Sequence, residues 1–553
     1  SDPQFFVYQT KNRNKNQVVV EINPFMVRNN KLYAVEEFLI VSSKNYSSSE
    51  LKPQKHISKD NFHPDYGYRF EVKRSGIHKI TGKFLSEIGM PISKVNPETL
   101  KIFGKGGKMI PLINKDDNGV NYGFSENPLK LVGMEDGVID EDDYILFYAY
   151  GLNEWNEDSQ TSINLYQNKA HYILSFGGNS GLRVNTLSTL PPIENSLTSA
   201  FISVHFEQDL INVAKMGRKW FGDRFLHNSN KSYGFSLTNR KPETPIDIKF
   251  AAAASSINSS RFDLSVDGSV VSLNLTSTQT LTKASEGIAS MSVTPSNNEL
   301  EFLLHFDASG LSSSVGYLDY ISLTYNRNLF SNNEQFGFKL NSSKIYKSSN
   351  ADSIWEILAD GTINVYESNN NDIYFESSTS ADRYHFYVAN DEYLPERSYY
   401  GDIFSSPKIR TRLSNEAEYI IITRDDFVEE ANRLAEHHRS NSGLKSVVLS
   451  LSEIYDDFNA GNVDIMAIRN AIRYAYINNS FDNKPKYVCL FGDTSYDYKD
   501  RVRNNNMIVP TYHALNSFNL ANSYMSDDFF AMMDNGEGDL GYYDRMDLAV
   551  GRI

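Results

Sequence analysis

Glu418-Tyr-Ile-Ile-Ile-Thr423 is an unbroken apolar run with polar residues at both ends. A strand that lacks the in-out alternation of a half-exposed sheet is one buried on both faces, as in a parallel sheet. Asp425 and Asp426 follow where a helix N-cap would stand, and residues 427–441 carry Phe427, Ala431, Leu434 and Ala435 at helical spacing. Gly443 ends that helix. Ser446-Val-Val-Leu-Ser450 is a second buried strand, and residues 464–478 are a second helix with Ile465, Ile468, Ile472 and Tyr476 on one face. Tyr487-Val-Cys-Leu-Phe-Gly-Asp493 is a third strand. Strand and helix alternating in this order predict a parallel, doubly wound sheet. A last strand, Asp547-Leu-Ala-Val-Gly551, is followed only by Arg552 and Ile553. The α/β domain, residues 411–553, is therefore expected to be the first half of a truncated sheet.

Upstream the periodicity changes from helical to two-residue. Tyr68-Arg-Phe-Glu-Val-Lys73, the turn Ser75-Gly76 and Ile77-His-Lys-Ile80 read as a hairpin. Gly104-Lys-Gly-Gly107 lies between the strand-like segments Leu100–Phe103 and Met109–Leu112. A glycine loop that cradles phosphate opens a helix, and none follows here, so a tight turn is the reading preferred. Between residues 200 and 325, alternating segments such as Leu300-Glu-Phe-Leu-Leu-His-Phe306 recur with turn residues about every ten positions, the spacing of a β-sandwich or jelly roll. The predicted division is an N-terminal β arm (1–65, with strands at 17–23 and 36–41), a β domain (66–195), a β-sandwich with connector (196–410) and the α/β domain (411–553). The fold class is multidomain, with β-sandwich-rich N-terminal domains followed by a truncated α/β domain.

Composition narrows the function. Of 553 residues, 54 are Lys or Arg and 69 Asp or Glu, giving a net charge of −15. With no basic stripe, that balance repels a phosphate backbone and argues against nucleic acid as a partner. The single cysteine, Cys489, excludes a disulfide within the chain. No apolar run is long enough to span a bilayer as a helix, and Ser1-Asp-Pro-Gln4 carries no signal-peptide pattern from which export could be read.

In open α/β sheets, sites form beyond the carboxyl ends of the strands. Here those ends are Thr423-Arg-Asp-Asp426, Gly492-Asp-Thr-Ser495 and the region of Ser526-Asp-Asp528, all acidic or hydroxylic. Asp493, Thr494, His513, Asp527 and Asp528 are the candidate cleft-lining residues. Cys489 sits inside an apolar strand and reads as core rather than nucleophile. His437 and His438, late on a helix, read as solvated. A Ser495/His513 hydrolase pair is open, but no Gly-X-Ser-X-Gly elbow supports it. The loop acids Asp493, Asp497, Asp527, Asp528, Asp534, Asp539 and Asp544 suit Ca²⁺ by chemistry, though their spacing is not that of an EF-hand. No His-Glu-x-x-His or Cys-x-x-Cys pattern points to zinc, and no cofactor is required.

Taken together, Glu418–Thr423, Tyr487-Val-Cys-Leu-Phe-Gly-Asp-Thr-Ser-Tyr-Asp497, Pro510-Thr-Tyr512, Tyr524-Met-Ser-Asp-Asp-Phe-Phe530 and Asp547-Leu-Ala-Val-Gly-Arg-Ile553 resemble the gingipain family of clan CD cysteine peptidases, whose α/β domain is caspase-like. Phe103-Gly-Lys-Gly-Gly-Lys-Met-Ile-Pro111, Asp136-Gly-Val-Ile-Asp-Glu-Asp-Asp-Tyr-Ile-Leu-Phe-Tyr148 with Gly151 and Trp155, and Tyr317-Leu-Asp-Tyr320 resemble the pre-peptidase β domains of its type IX secretion sortases. The resemblance implies a cysteine endopeptidase and transpeptidase of the Bacteroidetes cell surface, peripherally attached to the outer membrane. Such an enzyme cleaves the C-terminal signal domain from secreted cargo and links the cargo to anionic lipopolysaccharide. It also implies as partners a PorV-like outer-membrane barrel protein and other type IX attachment-complex proteins. In the family a Cys and the His of a Thr-Gly-His-Gly-like motif both follow the Ile-Gly-Arg strand. They are thus expected downstream of Ile553, leaving these residues inactive alone. The alternatives are a surface adhesion or carbohydrate-binding protein using Trp155 or Trp220 as aromatic platforms, and an extracellular gingipain-like protease. The long β region favours the sortase.

Overall fold

The computed structural model describes residues 66–115 and 124–553, apart from 332, 341–342, 369–371, 399–400, 402, 416 and 481–482, together with four short strands within 5–34. Those four form two hairpins, Phe5–Asn12 with Lys15–Ile22 and Phe25–Arg28 with Lys31–Ala34. The arm strand expected at 36–41 lies outside the described residues.

The first module is built on strands β1 (Tyr66–Val72), β2 (Gly76–Thr81), β3 (Lys101–Phe103), β4 (Tyr144–Ala149) and β5 (Ala170–Ser175). β5 pairs antiparallel with β1 and β3, and β4 pairs with β2. Phe70, Ile80, Leu85, Ile102, Phe147 and Tyr172 fill the space between. Two later segments, Glu396–Arg397 and Ile403–Ser405, add to the free side of β1. The glycine turn is a turn, as expected. Gly107 N–H donates to the Tyr150 carbonyl at 3.0 Å. Gly106 has φ +53°, and a Cβ there would lie 2.4 Å from Tyr150 O, so the loop comes this close only without a side chain. The strand expected at 109–112 does not form. Met109, Ile110 and Leu112 instead enter one apolar cluster with the helices of the α/β domain.

The sandwich holds eight main strands: β6 (Ser199–Glu207), β7 (Ser229–Ser236), β8 (Ile246–Ser255), β9 (Ser260–Val266), β10 (Ser269–Leu275), β11 (Ser285–Val293), β12 (Glu299–Asp307) and β13 (Val315–Asn328). One sheet runs β6-β13-β8-β11 and the other β7-β12-β9-β10. Alternation decides the faces: Leu300, Phe302, Leu304 and Phe306 of β12 point inward, and Glu299 and Glu301 outward. A smaller sheet follows, with β14 (Ser353–Leu358) paired to β15 (Ala381–Tyr387).

The α/β domain begins at β16 (Tyr419–Thr423) and continues through α1 (Val428–Ser442), β17 (Ser446–Ser450), α2 (Leu451–Asn459), α3 (Ile465–Asn478), β18 (Tyr487–Leu490) and β19 (Ala549–Arg552). All four strands are parallel, in the order β17-β16-β18-β19. The chain moves outward to β17 and then returns to the other side of β16. β16 and β18 therefore flank the switch point at which such sheets bind ligands. Asp425 and Asp426 are not the N-cap of α1. They lie in a 3₁₀ turn that precedes it, and the cap residue is Phe427, without a side-chain bond. α2 was not expected; its capping box joins the Ser450 side chain to Glu453 N–H and Glu453 back to the Ser450 backbone.

Candidate functional site

The carboxyl edge of the sheet is organised by backbone contacts first. The Thr423 hydroxyl donates to the Phe491 carbonyl at 2.7 Å, tying the ends of β16 and β18 together. Gly492 then turns at φ +138°, and a Cβ there would sit 2.3 Å from Ile508 Cγ2. The loop after it folds back, with the Asp493 carbonyl accepting from Ile508 N at 2.9 Å and Val509 N at 3.0 Å. Asp497, fully buried, holds this loop through Arg501 Nε (2.9 Å) and Val502 N (2.7 Å). It is a scaffold residue rather than a metal ligand.

Arg552, at the end of β19, closes the edge. Its Nε and Nη2 meet Asp527 Oδ2 and Oδ1 at 2.9 and 2.7 Å, and its Nη1 donates to the Gly492 and Val509 carbonyls at 2.7 and 2.8 Å. Nη2 also reaches the Pro510 carbonyl at 3.3 Å, so all five guanidinium donors are used. Asp527 Oδ1 further accepts from the Thr511 hydroxyl at 2.6 Å. Asp527 thus stands at the carboxyl edge of the sheet, committed to Arg552. Arg552 and Thr511 were not among the expected site residues. The only sequence signal was the Arg directly after the Val-Gly end of the last strand.

The other expected residues separate. Asp493 and Asp528 are exposed. Asp493 has one long contact, from Asn506 Nδ2 at 3.4 Å. The Thr494 hydroxyl is buried without a hydrogen-bond partner among the described residues. His513 is fully buried against Tyr498, so it does not line an open cleft. Its Nε2 lies 3.0 Å from the Ser495 carbonyl rather than from the hydroxyl a nucleophile would offer, and its own carbonyl accepts from Arg218. Burial lowers its pKa to about 4, with the Ser495 hydrogen bond opposing, so the ring is neutral at physiological pH.

Cys489 lies within β18, opposite Ile421 and Gly551, and is 5% exposed. It borders an open groove of about 740 Å³ on the α1 face, with Tyr419, Leu434, His438, Val550 and Ile553. Burial pushes its thiol pKa up, against smaller opposing effects of the Tyr419 hydroxyl and Arg552. A thiol buried on a sheet face with its pKa raised matches the core reading. Trp220 offers no platform, being 3% exposed with Arg501 3.4 Å above its ring, while the half-buried Trp155 stacks on His205 and meets Tyr320 edge-on.

Among the described residues, Asp534, Glu537 and Asp547 bring carboxylate oxygens within 4.8 Å of one another. Of the expected loop acids, Asp534 alone belongs to this group, while Asp544 turns its Oδ2 to the Gly538, Asp539 and Gly541 N–H groups. Glu537 accepts from Asp534 N and Arg545 N, and Asp547 from Met533 N and the Tyr476 hydroxyl. Glu537 and Asp547 thus already accept from N–H and O–H donors. Through these bonds Glu537 and Asp547 brace the loop around residues 533–547.

Residues 412–553 match the family described as Peptidase family C25. No curated protein matches the sequence. Dimeric latent PorU from Porphyromonas gingivalis has a similar structure, with a TM-score of 0.71 at 19% identity. The alignment covers 88% of this chain and 48% of that one, so this chain spans about half the length of its structural relative. A carbohydrate-binding module of family 36, in complex with calcium and xylotriose, aligns with 22% of this chain and 98% of its own, at 18% identity and a TM-score of 0.16. A family 35 module from Clostridium thermocellum covers 23% of this chain and 90% of its own, at 10% identity and the same score. Residues 412–553 are therefore similar to peptidase family C25, and the fold of the chain, β modules included, is similar to that of PorU.

Proposed function

We propose that this chain is the β-domain region and first part of the peptidase domain of a type IX secretion sortase. The sortase cleaves the C-terminal signal domain from cargo at the bacterial outer surface and joins the cargo to anionic lipopolysaccharide. The observation that carries the reading is the extent of the PorU likeness: it covers 88% of the chain, where a shared peptidase segment alone would cover residues 412–553 only. Chemically, a thiolate attacks the scissile carbonyl, a histidine protonates the leaving amine, and the thioester passes to an amine or to water. Neither group is assigned here. Cys489 is buried with a raised pKa, and His513 is buried and bonded to a backbone carbonyl. The role of residues 412–553 is to form one wall of the cleft, with the Arg552–Asp527 pair fixing the end of β19. A PorV-like barrel protein is the proposed outer-membrane partner. No cofactor is required, and Ca²⁺ is at most a brace.

The test is turnover of a cargo protein carrying its C-terminal signal domain, followed by mass spectrometry, with the full-length protein and with residues 1–553 alone. Full-length protein is expected to release the signal domain, Cys489→Ala to release it equally well, and residues 1–553 to release none. Loss of turnover in a folded Cys489→Ala protein, or turnover by residues 1–553, would overturn the reading.

A further inference from the structure

The glycine turn that the fold explains as backbone packing also carries two lysines that the fold does not explain. Lys105 and Lys108 project from Gly104-Lys-Gly-Gly-Lys108 into the seam between the first module and the start of β15. Both are only partly exposed, and neither ammonium has a hydrogen bond or an ion pair among the described residues. Lys108 Nζ lies over the Tyr150 ring at 5.0 Å. Arg383 stands beside them, its Cζ 5.1 Å from the same ring. It binds Glu154 through Nη1 (2.9 and 2.8 Å) and Asp382 through Nε (3.2 Å). Lys339 adds a fourth cation to the field around Lys108 and Asp382. Four cations thus face two carboxylates, in a chain whose net charge is −15.

We infer that Lys105, Lys108, Arg383 and Lys339 form a binding site for a phosphoryl oxyanion. Ammonium groups that are unpaired and half-desolvated are costly unless an anion completes them. Two surplus positive charges match a phosphate dianion. Lysines act on such a group as mobile point charges, while Arg383, already held by Glu154, supplies a fixed donor. Burial first, and then the charge of Lys108, lower the Lys105 pKa to about 8, in keeping with an ammonium that lacks its counter-charge. The excess is local, since the chain as a whole repels anions. The glycines keep their structural reason: they let the turn close onto Tyr150 and Gly151, and that closure sets the two lysines side by side.

The probe is inorganic phosphate, titrated calorimetrically into the full chain at constant ionic strength in chloride. Binding is expected, and Lys105→Met and Lys108→Met are each expected to weaken it about tenfold or more, the loss of one charge-assisted bond. Lys83→Met, an exposed change elsewhere in the module, should leave it unchanged. A second measurement needs no variant: phosphate should slow acetylation of Lys105 and Lys108 in the native chain relative to Lys83. Sedimentation with phosphatidylcholine vesicles, with and without phosphatidic acid, distinguishes the source. Capture by phosphatidic acid that free phosphate reverses assigns a lipid headgroup; binding of free phosphate without capture assigns a soluble anion. No binding of either probe, or equal binding by Lys105→Met, overturns the site.

Discussion

Arg552 and Asp527 meet in a two-point pair, Nε to Oδ2 at 2.9 Å and Nη2 to Oδ1 at 2.7 Å, although 25 residues separate them in the chain. The pair joins the end of β19 to the 3₁₀ turn Asp527–Ala531, and the same guanidinium holds the Gly492 and Val509 carbonyls. Asp527→Asn and Arg552→Lys are each expected to destabilise the chain by about 1–3 kcal/mol in urea unfolding, because a single charge cannot replace the fork. Wild-type stability in Arg552→Lys would show that the planar geometry is irrelevant.

Gly492 should be as sensitive as any core position. Its φ of +138° and the 2.3 Å approach to Ile508 Cγ2 predict that Gly492→Ala costs on the order of 2 kcal/mol or more. The Ile508→Ala background should recover the steric part of that loss and leave the backbone part. Equal losses in both backgrounds would remove Ile508 from the explanation.

Cys489 should react with a maleimide far more slowly than a cysteine in an unfolded peptide at neutral pH, because burial both shields it and raises its pKa. Denaturant should restore the fast rate. Fast labelling of native chain would contradict the core position.

The junction between sandwich and peptidase segment should weaken as pH rises. Asp209, beside Glu207 and Lys499 and 3.5 Å from Arg501, has its pKa raised to about 7, chiefly by burial and then by Glu207. The folded form therefore keeps a proton that the unfolded chain gives up near its ordinary carboxylate value. This contribution is fully present below that value and is lost as pH climbs toward about 7. Measured by denaturant unfolding from about pH 4 to about pH 8, wild type should lose on the order of 2–4 kcal/mol relative to Asp209→Asn. A flat difference, or one of opposite sign, would reject the assignment.

What the sequence disclosed follows from which interactions are local. The apolar runs at 418–423 and 446–450 announce a parallel sheet because strands covered on both faces cannot alternate, and Leu300, Phe302, Leu304 and Phe306 mark the sandwich because half-covered strands must. α2 was legible but not read: Leu451, Ile454, Tyr455 and Phe458 stand at helical spacing, and Ser450 and Glu453 carry its start signal, but the helix follows β17 with no intervening loop. Among the site residues, Asp527 could be found as an acid near a strand end. Its partner could not, because the Arg552 contact exists only after β19 has paired with β18. His513 was expected at a cleft wall. Its burial depends on Tyr498 and on a backbone carbonyl, neither of which leaves a pattern in sequence.

The strand Tyr66–Val72 has Ala170–Ser175 on one side and Glu396–Arg397 with Ile403–Ser405 on the other. A chain emerging from the ribosome delivers the first neighbour early and the second only after the whole sandwich. Until then the backbone of Tyr66–Val72 shows an open edge to any passing strand, a recognised route to misassembly. The order of synthesis thus leaves this edge unsealed until residues 396–405 have been made.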